Sequence, residues 1–457
     1  MKKISLIFII AALLSVSCKK WIDPSMNSDP NNPTDVALAQ LLAPVEANLA
    51  YVSGGELARY SCSWMQQLAG LQSQAADCDI YNITESDVDA DWSWNLYAPG
   101  MIDTKIMMEK AASGSSPHYA GVAKILMAYH IGITSDCWGD IPYSDALNGN
   151  KNQYESRYDT QQQIYATIFS LLNDAITDLQ SGTSVFSPGT DDIIYGGDLD
   201  KWIKTAYALK ARYSLHLAKR NGNTAYSDAL AAVAHAYTNN SEDFRVVFGT
   251  AYNNANPIYK SEQERPGYYS ANATLMNMLN AENDPRRDVY FTGSTGSRSG
   301  VPDPSAAVLG PGYASTNSPV YLISYAEVKF IEAEARYKLN ASDPLAVDAC
   351  NEGLRASLQR EGVYGDGTWY NAHKLTAASV TLEKIMIQKY LSSFLQVETW
   401  TDWRRTGYPV LTLATGALTN QIPRRLPYPQ SERLYNGANM PAGLTITDHV
   451  WWDATTK

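Results

Sequence analysis

The sequence predicts an all-α protein in which packed helices form a scaffold, long irregular loops connect them, and little strand is present. First, apolar residues recur at helical spacing through most of residues 36–457, which we expect to form a single domain. Second, residues 183–198, 239–269 and 291–319 are rich in Gly, Ser, Asn, Pro and Tyr. Loops this long are uncommon unless they are functional or disordered, and binding residues tend to lie in loops on a rigid scaffold.

The clearest helix is predicted over residues 160–179, where Ile164, Ile168 and later apolar residues follow a 3.6-residue period. Thr160 and Gln163 fit a capping box at its start. A second capping box begins a helix at Ser324. The other predicted helices lie at residues 36–50, 87–111 with a break near Pro99, 119–133, 200–217, 226–237, 345–360 and 382–397.

The N-terminus predicts secretion. Met1-Lys2-Lys3 and a mostly apolar run up to Val16 form a secretory signal, which is too short to span a bilayer. The following Ser17-Cys18 completes a segment that resembles the lipobox of bacterial lipoproteins, although Ser15 stands where leucine is usual. We therefore expect residues 1–17 to be a signal peptide and Cys18 to be lipidated. Residues 18–35, which are polar and rich in Pro and Asn, are expected to tether the lipid to the folded body.

The composition argues against several classes of protein. A net charge of -11 and no local Lys/Arg run give no basic face for nucleic acid. The six His lack metal-ligand spacing, and the chain contains neither a GxSxG nor a Walker A motif. We predict no enzyme activity, no metal and no cofactor. A glycosidase carboxylate pair stays an alternative, since any chain with 47 acidic residues offers one by chance.

The four cysteines after Cys18 match no zinc or CxxC pattern. They are Cys62, Cys78, Cys137 and Cys350, and we expect buried free thiols, with a Cys62–Cys78 bridge left open. In the C-terminal third, arginines 404, 405, 424 and 425 are expected to pair with Glu332, Glu334 or Asp402 as structural groups. The turn from Asp136 to Pro142 is expected to close a helix.

Five segments in this order together resemble the SusD/RagB family of outer-membrane nutrient-binding lipoproteins. They cover residues 122–143, 202–220, 284–288, 324–335, and the C-terminal set 387–390, 403–409 and 423–429 with Glu432 and Asn436. The resemblance extends over essentially the whole mature chain, and residues 29–33 of the tether also fit it.

The resemblance implies tetratricopeptide-like helix pairs and a binding surface built mainly by connecting loops. It implies a lipid-anchored protein on the cell surface that captures an oligosaccharide and delivers it to a SusC-like TonB-dependent transporter in the outer membrane. A peptide-binding receptor of the RagB type is one alternative, and a lipid-anchored adhesion or structural protein without a small ligand is another. Which glycan or peptide is bound, and whether calcium is bound, stay open.

Loop chemistry suggests where a ligand would bind. A sugar ring has an apolar face edged by hydroxyls, so an aromatic ring beside amide or carboxylate groups suits it. Aromatic residues in polar loops are therefore the candidates, whereas Trp92 and Trp94, at the start of a predicted helix, are expected in the core. The predicted ligand-binding residues are Tyr81, Asn82, Tyr268, Tyr269, Tyr313, Trp369 and Tyr370.

Overall fold

The structure is a computed structural model that describes residues 36–149 and 153–454. Helices make up 55% of the structure and strands 6%, so the predicted all-α class is confirmed. The signal peptide, Cys18 and the tether lie outside the described residues. Within the described ranges, no helix combines the length and the apolar character needed to cross a membrane.

Residues 36–149 and 153–454 contain nineteen α-helices, which are numbered in chain order. They are α1 Leu38–Gly54, α2 Glu56–Trp64, α3 Ser73–Asp79, α4 Ile102–Ser113, α5 Pro117–Trp138, α6 Gln161–Leu179, α7 Leu199–His216, α8 Ala218–Asn221, α9 Asn223–Val233, α10 Pro257–Glu264, α11 Ala273–Ala281, α12 Arg287–Tyr290, α13 Pro311–Ala314, α14 Tyr325–Leu339, α15 Pro344–Arg360, α16 Thr368–His373, α17 Leu382–Ser392, α18 Glu398–Thr406 and α19 Gln430–Tyr435. A wider π-helical segment, Asp91–Met101, precedes α4, and 3-10 turns occupy Asn240–Glu242 and Tyr252–Asn254.

The periodic helices form where the sequence predicts them. Thr160 Oγ1 accepts a hydrogen bond from the Gln163 amide at 3.3 Å, and Gln163 Oε1 accepts one from the Thr160 amide at 2.9 Å, which completes the predicted capping box. Ser324 likewise caps α14 by accepting from the Glu327 amide. The predicted break near Pro99 is present, since Ala98 leaves helical geometry there.

Helices that follow one another in the chain pack against each other and build the scaffold. From α4 the order of contact runs through α5, α6, α7 and α9, then crosses to α14, which packs against both α15 and α17. Small or apolar residues make the close approaches; Gly121 of α5, for example, faces Leu179 of α6. The scaffold is therefore a stack of helix pairs with the loops on its edges.

Two of the predicted irregular loops contain short strands. The two-stranded antiparallel ladders pair β1 (Leu68–Gly70) with β5 (Tyr269–Ala271), β2 (Ile141–Pro142) with β3 (Tyr158–Asp159), β4 (Phe244–Val246) with β8 (Val320–Ile323), and β6 (Phe291–Thr292) with β7 (Val308–Leu309). Short strands therefore lie within residues 239–269 and 291–319, which the sequence predicts as long irregular loops. Strands of two to four residues are too short to show a period of two.

Buried charges join the C-terminal helices to the scaffold. Arg405 donates to Glu334 at 2.5 and 2.7 Å and to Asp402 at 2.8 Å, which confirms the predicted structural pairing. Glu332 instead pairs with Lys329 and Arg336, and Arg424 pairs with Asp453. Because Arg405, Glu334 and Asp402 are buried, each of these charges needs a partner.

All four cysteines of the described chain are buried free thiols, so the bridge between Cys62 and Cys78 is not formed. Trp92 lies in the core, but Trp94 is 74% exposed, and its predicted burial is wrong. Residues two apart on a helix do not share a face, so the core position of Trp92 sends Trp94 outward.

Candidate functional site

Two adjoining cavities of about 410 and 290 Å³ form one cleft beside α2, α3 and α10. The wall between them is built from charged and polar residues that line both cavities. These shared residues are Glu56, Arg59, Asp91, Asn95, Ser261 and Arg265. We call the two cavities together the cleft.

The β1–β5 ladder brings the two sides of the first cavity together. Gly70 pairs with Tyr269, and the Leu71 amide donates to the Tyr268 carbonyl at 2.8 Å. Gly70 is required because a Cβ there would collide with the Ala75 carbonyl oxygen. Gly267 takes a left-handed φ of 73°, which turns the chain into the ladder just before Tyr268. The ladder therefore fixes two tyrosines beside a segment 200 residues earlier in the chain.

Two tyrosine rings of the cleft stand beside arginines. The Arg59 guanidinium carbon lies 6.0 Å from the Tyr269 ring centroid, and the Arg265 carbon lies 5.8 Å from the Tyr268 centroid. Arg265 also donates to Gln74 Oε1 at 3.0 Å. Tyr269 is buried except for its share of the cavity wall, whereas Tyr268 is half-buried. Tyr268 thus offers the more accessible ring.

Arg59 and Glu56 form an ion pair in the shared wall, with Arg59 Nε 3.2 Å from Glu56 Oε2. Burial alone would lower the pKa of Arg59, but Glu56 together with the smaller effects of Tyr269, Tyr60 and Asp91 outweighs burial, and the pKa is raised. Burial and the nearby Glu56 charge raise the pKa of Asp91 to about 7. Asn95, which donates to Asp91 Oδ1 at 3.2 Å, and Arg59 offset part of that rise.

The opposite wall of the first cavity is held by short hydrogen bonds. Asn82 donates to Asp77 Oδ1 at 3.1 Å, and the Thr84 amide donates to Asp87 Oδ2 at 2.7 Å. The Tyr60 hydroxyl donates to the Asp87 carbonyl at 3.1 Å. Amide, hydroxyl and carboxylate groups therefore face the cavity from a wall that is already ordered.

The second cavity ends at Lys260. Its ammonium lies 5.4 Å from the Tyr51 ring centroid and 5.2 Å from that of Tyr252. The Tyr252 hydroxyl donates to Glu264 at 2.5 Å. Lys260 and Glu264 both line this cavity, so the cleft presents both signs of charge.

Of the seven predicted ligand-binding residues, the structure brings Asn82, Tyr268 and Tyr269 together in the cleft. Tyr81 and Tyr313 are 3% and 6% exposed, and their predicted place in an exposed loop is wrong. The Tyr81 hydroxyl accepts from the Ala414 amide, and Tyr313 packs on Phe394 while donating to Glu361. Both rings anchor loops to the core, so we no longer propose them as ligand contacts.

Trp369 and Tyr370 lie on α16 and line neither cavity of the cleft. The Trp369 indole donates to the Glu282 carbonyl at 2.9 Å, and its ring stacks on His373 at 4.1 Å. Tyr370 lies beside Tyr364. These partly exposed rings already make contacts with other residues of the chain.

The sequence analysis missed the charged and amide residues of the shared wall. Glu56 and Arg59 lie on α2, and Arg265 follows α10; neither helix was predicted because both are short. One signal was available: Glu46, Glu56 and Arg59 are the charged residues in the otherwise uncharged stretch from residue 41 to 70. A buried charge in such a stretch needs either a partner or a function.

The cleft is suited to holding a polar ligand by ring contacts and hydrogen bonds. In the residues that the structure describes, no group of three or more His, Cys, Asp and Glu side chains is arranged to hold a metal ion. The turn from Asp136 to Pro142 serves the fold: Gly139, at φ 93°, ends α5, and Asp136 accepts from Tyr165 and Trp452.

Comparison with solved structures shows the same fold. A SusD/RagB family protein from Bacteroides thetaiotaomicron superimposes with a TM-score of 0.79 at 27% identity, covering 93% of this chain and 100% of that one. A chitin-binding SusD homologue from Flavobacterium johnsoniae gives 0.78 at 20% identity over 92% and 99%, and a SusD homologue from Bacteroides uniformis gives 0.75 at 24% over 92% and 100%. The tetratricopeptide-like scaffold is thereby confirmed.

No curated protein sequence gives a significant match to this chain. A SusD-like family model, described as starch-binding and associating with the outer membrane, matches residues 30–429. Since this match covers most of the sequence and agrees with the fold, the chain belongs to the SusD-like family.

Proposed function

We propose that this protein is a lipid-anchored receptor on the cell surface that binds a nutrient oligosaccharide in the cleft. In this proposal it passes the ligand to a SusC-like TonB-dependent transporter in the outer membrane. The observation that carries it is the accessible Tyr268 ring beside Asn82, Asn95 and Arg265 in one cleft. The chitin-binding homologue, which has the same fold, supports a glycan as ligand.

The expected affinity is modest, as a receptor that releases its ligand requires. Covering about 50 Å² of a sugar face with a tyrosine ring contributes about 1 kcal/mol at ~25 cal/mol per Å². The amides of Asn82 and Asn95 add hydrogen bonds that contribute about 1 kcal/mol each. Binding without chemical change is the proposed activity, and no residue is assigned a catalytic role.

Tyr268→Ala is expected to weaken oligosaccharide binding about fivefold to tenfold, because the ring contact is lost while the ladder is kept. A glycan array with the mature protein in detergent would identify the ligand, and calorimetry would then compare the variants. Trp369→Ala is the matched control, since that ring lies outside the cleft. Unchanged affinity in the Tyr268 variant, or an equal loss in both variants, would exclude the cleft as the binding site.

A peptide is the second candidate ligand, because Glu56, Arg59, Lys260 and Glu264 give the cleft charges of both signs. A peptide array run on the same protein separates the two ligand classes. Binding of peptides and of no glycan would replace the oligosaccharide in the proposal and leave the receptor role in place. Hydrolysis products in the glycan reactions would favour the glycosidase alternative.

The transporter is tested separately. We expect a TonB-dependent barrel to copurify with the intact, lipidated protein from outer membranes, through an interface well above about 1,000 Å². Mass spectrometry of the same preparation should find acyl chains on Cys18. A protein recovered without a barrel but with acyl chains on Cys18 would instead fit the lipid-anchored adhesion alternative. One recovered without a barrel and with an unmodified N-terminus would fit a secreted protein.

A further inference from the structure

A cavity of about 570 Å³ lies on the helical scaffold between α6, α7 and α9. It shares no lining residue with the cleft and is larger than either of the cleft's cavities. Its volume falls within the range of sites for small ligands. We call this cavity the groove.

Two rings stand side by side in the groove. The centroids of Tyr207 and His235 are 4.8 Å apart with their planes tilted by 34°. The Lys210 ammonium lies 5.2 Å from the Tyr207 centroid and donates to Asn173 Oδ1 at 2.8 Å. His235 is exposed, so its outer face is accessible from solvent.

Some polar side chains around these rings make no side-chain hydrogen bond within the described part of the chain. Ser214 is 5% exposed and lines the groove, yet its hydroxyl has no hydrogen-bond partner among residues 36–149 and 153–454. Asn221 and Asp228, which also line the groove, make no side-chain hydrogen bond or ion pair in the same ranges. Because these polar groups line the groove without a hydrogen-bond partner in that part of the chain, they are available to bind a polar ligand.

The surrounding groups include both donors and acceptors. Lys210, Ser214 and Asn221 can donate, while Asp228 and Asn221 can accept. The floor between them is apolar, with Phe169 and Leu217. A saccharide carries hydroxyls that both donate and accept around an apolar ring face, whereas a purely anionic group would be repelled by Asp228. The chemistry of the groove therefore matches a sugar unit.

We propose that the groove is a second saccharide-binding site, separate from the cleft, in which the Tyr207–His235 rings contact a sugar face and Asp228 and Ser214 bind its hydroxyls. This site goes beyond the proposed function, because it needs neither the transporter nor an occupied cleft. It would let the protein hold a polysaccharide at two points.

Histidine NMR gives a readout confined to this site. His235 is one of six histidines, and no histidine lines the cleft. The full mature protein, with its histidine rings labelled with carbon-13, is titrated with tetrasaccharides of glucose, N-acetylglucosamine, mannose and xylose. We expect the His235 resonance, assigned by its loss in His235→Gln, to shift in a saturable way with at least one of them.

The variants separate the groove from the cleft. Asp228→Ala should weaken the His235 response by at least about tenfold, since a charge-assisted hydrogen bond is lost. Asp348→Ala, an exposed aspartate within α15, should leave it unchanged. Tyr268→Ala should affect cleft binding only. A His235 resonance that no tetrasaccharide moves, that moves only with peptides, or that loses its shift in Tyr268→Ala would overturn the proposal.

Discussion

Arg405→Ala is expected to lower the free energy of unfolding by about 3–5 kcal/mol, the range for removing one partner of a buried ion pair. Glu334 is 1% exposed and takes two hydrogen bonds from Arg405. Burial tends to raise the pKa of Glu334, but Arg405 outweighs it and the pKa is lowered. Without Arg405 the Glu334 carboxylate stays buried and loses its partner.

Urea unfolding followed by circular dichroism measures this loss. Arg433→Ala is the control, because Arg433 pairs with Glu85 at the surface, where both side chains are more than a third exposed. Surface pairs contribute about 0–1 kcal/mol. If both variants lost the same amount, the buried pair would not be what joins α18 to α14.

Gly70→Ala is expected to disrupt the cleft while leaving the helical scaffold folded. The new Cβ would collide with the Ala75 carbonyl and lie 2.8 Å from the Ala76 nitrogen, so α3 has to move. Overpacking of this kind costs about 1–3 kcal/mol. Because Gly70 pairs with Tyr269, we expect ligand affinity to fall by at least about tenfold, or about 1.4 kcal/mol.

Two measurements check this prediction, one of which needs no ligand. Hydrogen exchange of the Leu71 amide, which donates to Tyr268, should become faster in the variant. Calorimetry should show the loss of binding. Gly182→Ala is the matched control, since a Cβ there meets no atom within 4 Å. Unchanged exchange at Leu71 would mean that the ladder tolerates the methyl group.

The scaffold could be predicted because the signals that define its helices lie in neighbouring residues. Thr160 with Gln163 and Ser324 with Glu327 begin helices at the predicted positions, and the periodic apolar residues that follow lie in the core. Where the local signal was short, the prediction failed. α2 and α10 span nine and eight residues and were missed, and they carry Arg59 and Lys260 of the cleft.

Exposure of the tyrosines could not be predicted from the loops that contain them. Tyr268 and Tyr313 both follow a glycine in a polar segment, yet one lines the cleft and the other packs on Phe394. The difference depends on which distant segment meets each loop. For Tyr268 that segment contains strand β1, which pairs with the neighbouring strand β5 through three residue pairs.

The sequence by itself determined the all-α class, the positions of the long helices and the resemblance to the SusD/RagB family, because periodicity, capping and motif order are properties of neighbouring residues. Only the tertiary structure decided which rings face solvent, which charges are paired and where the cleft and the groove lie. These features arise from contacts between segments far apart in the sequence, such as Glu85 with Arg433, and such contacts depend on how the helices stack and the short ladders pair.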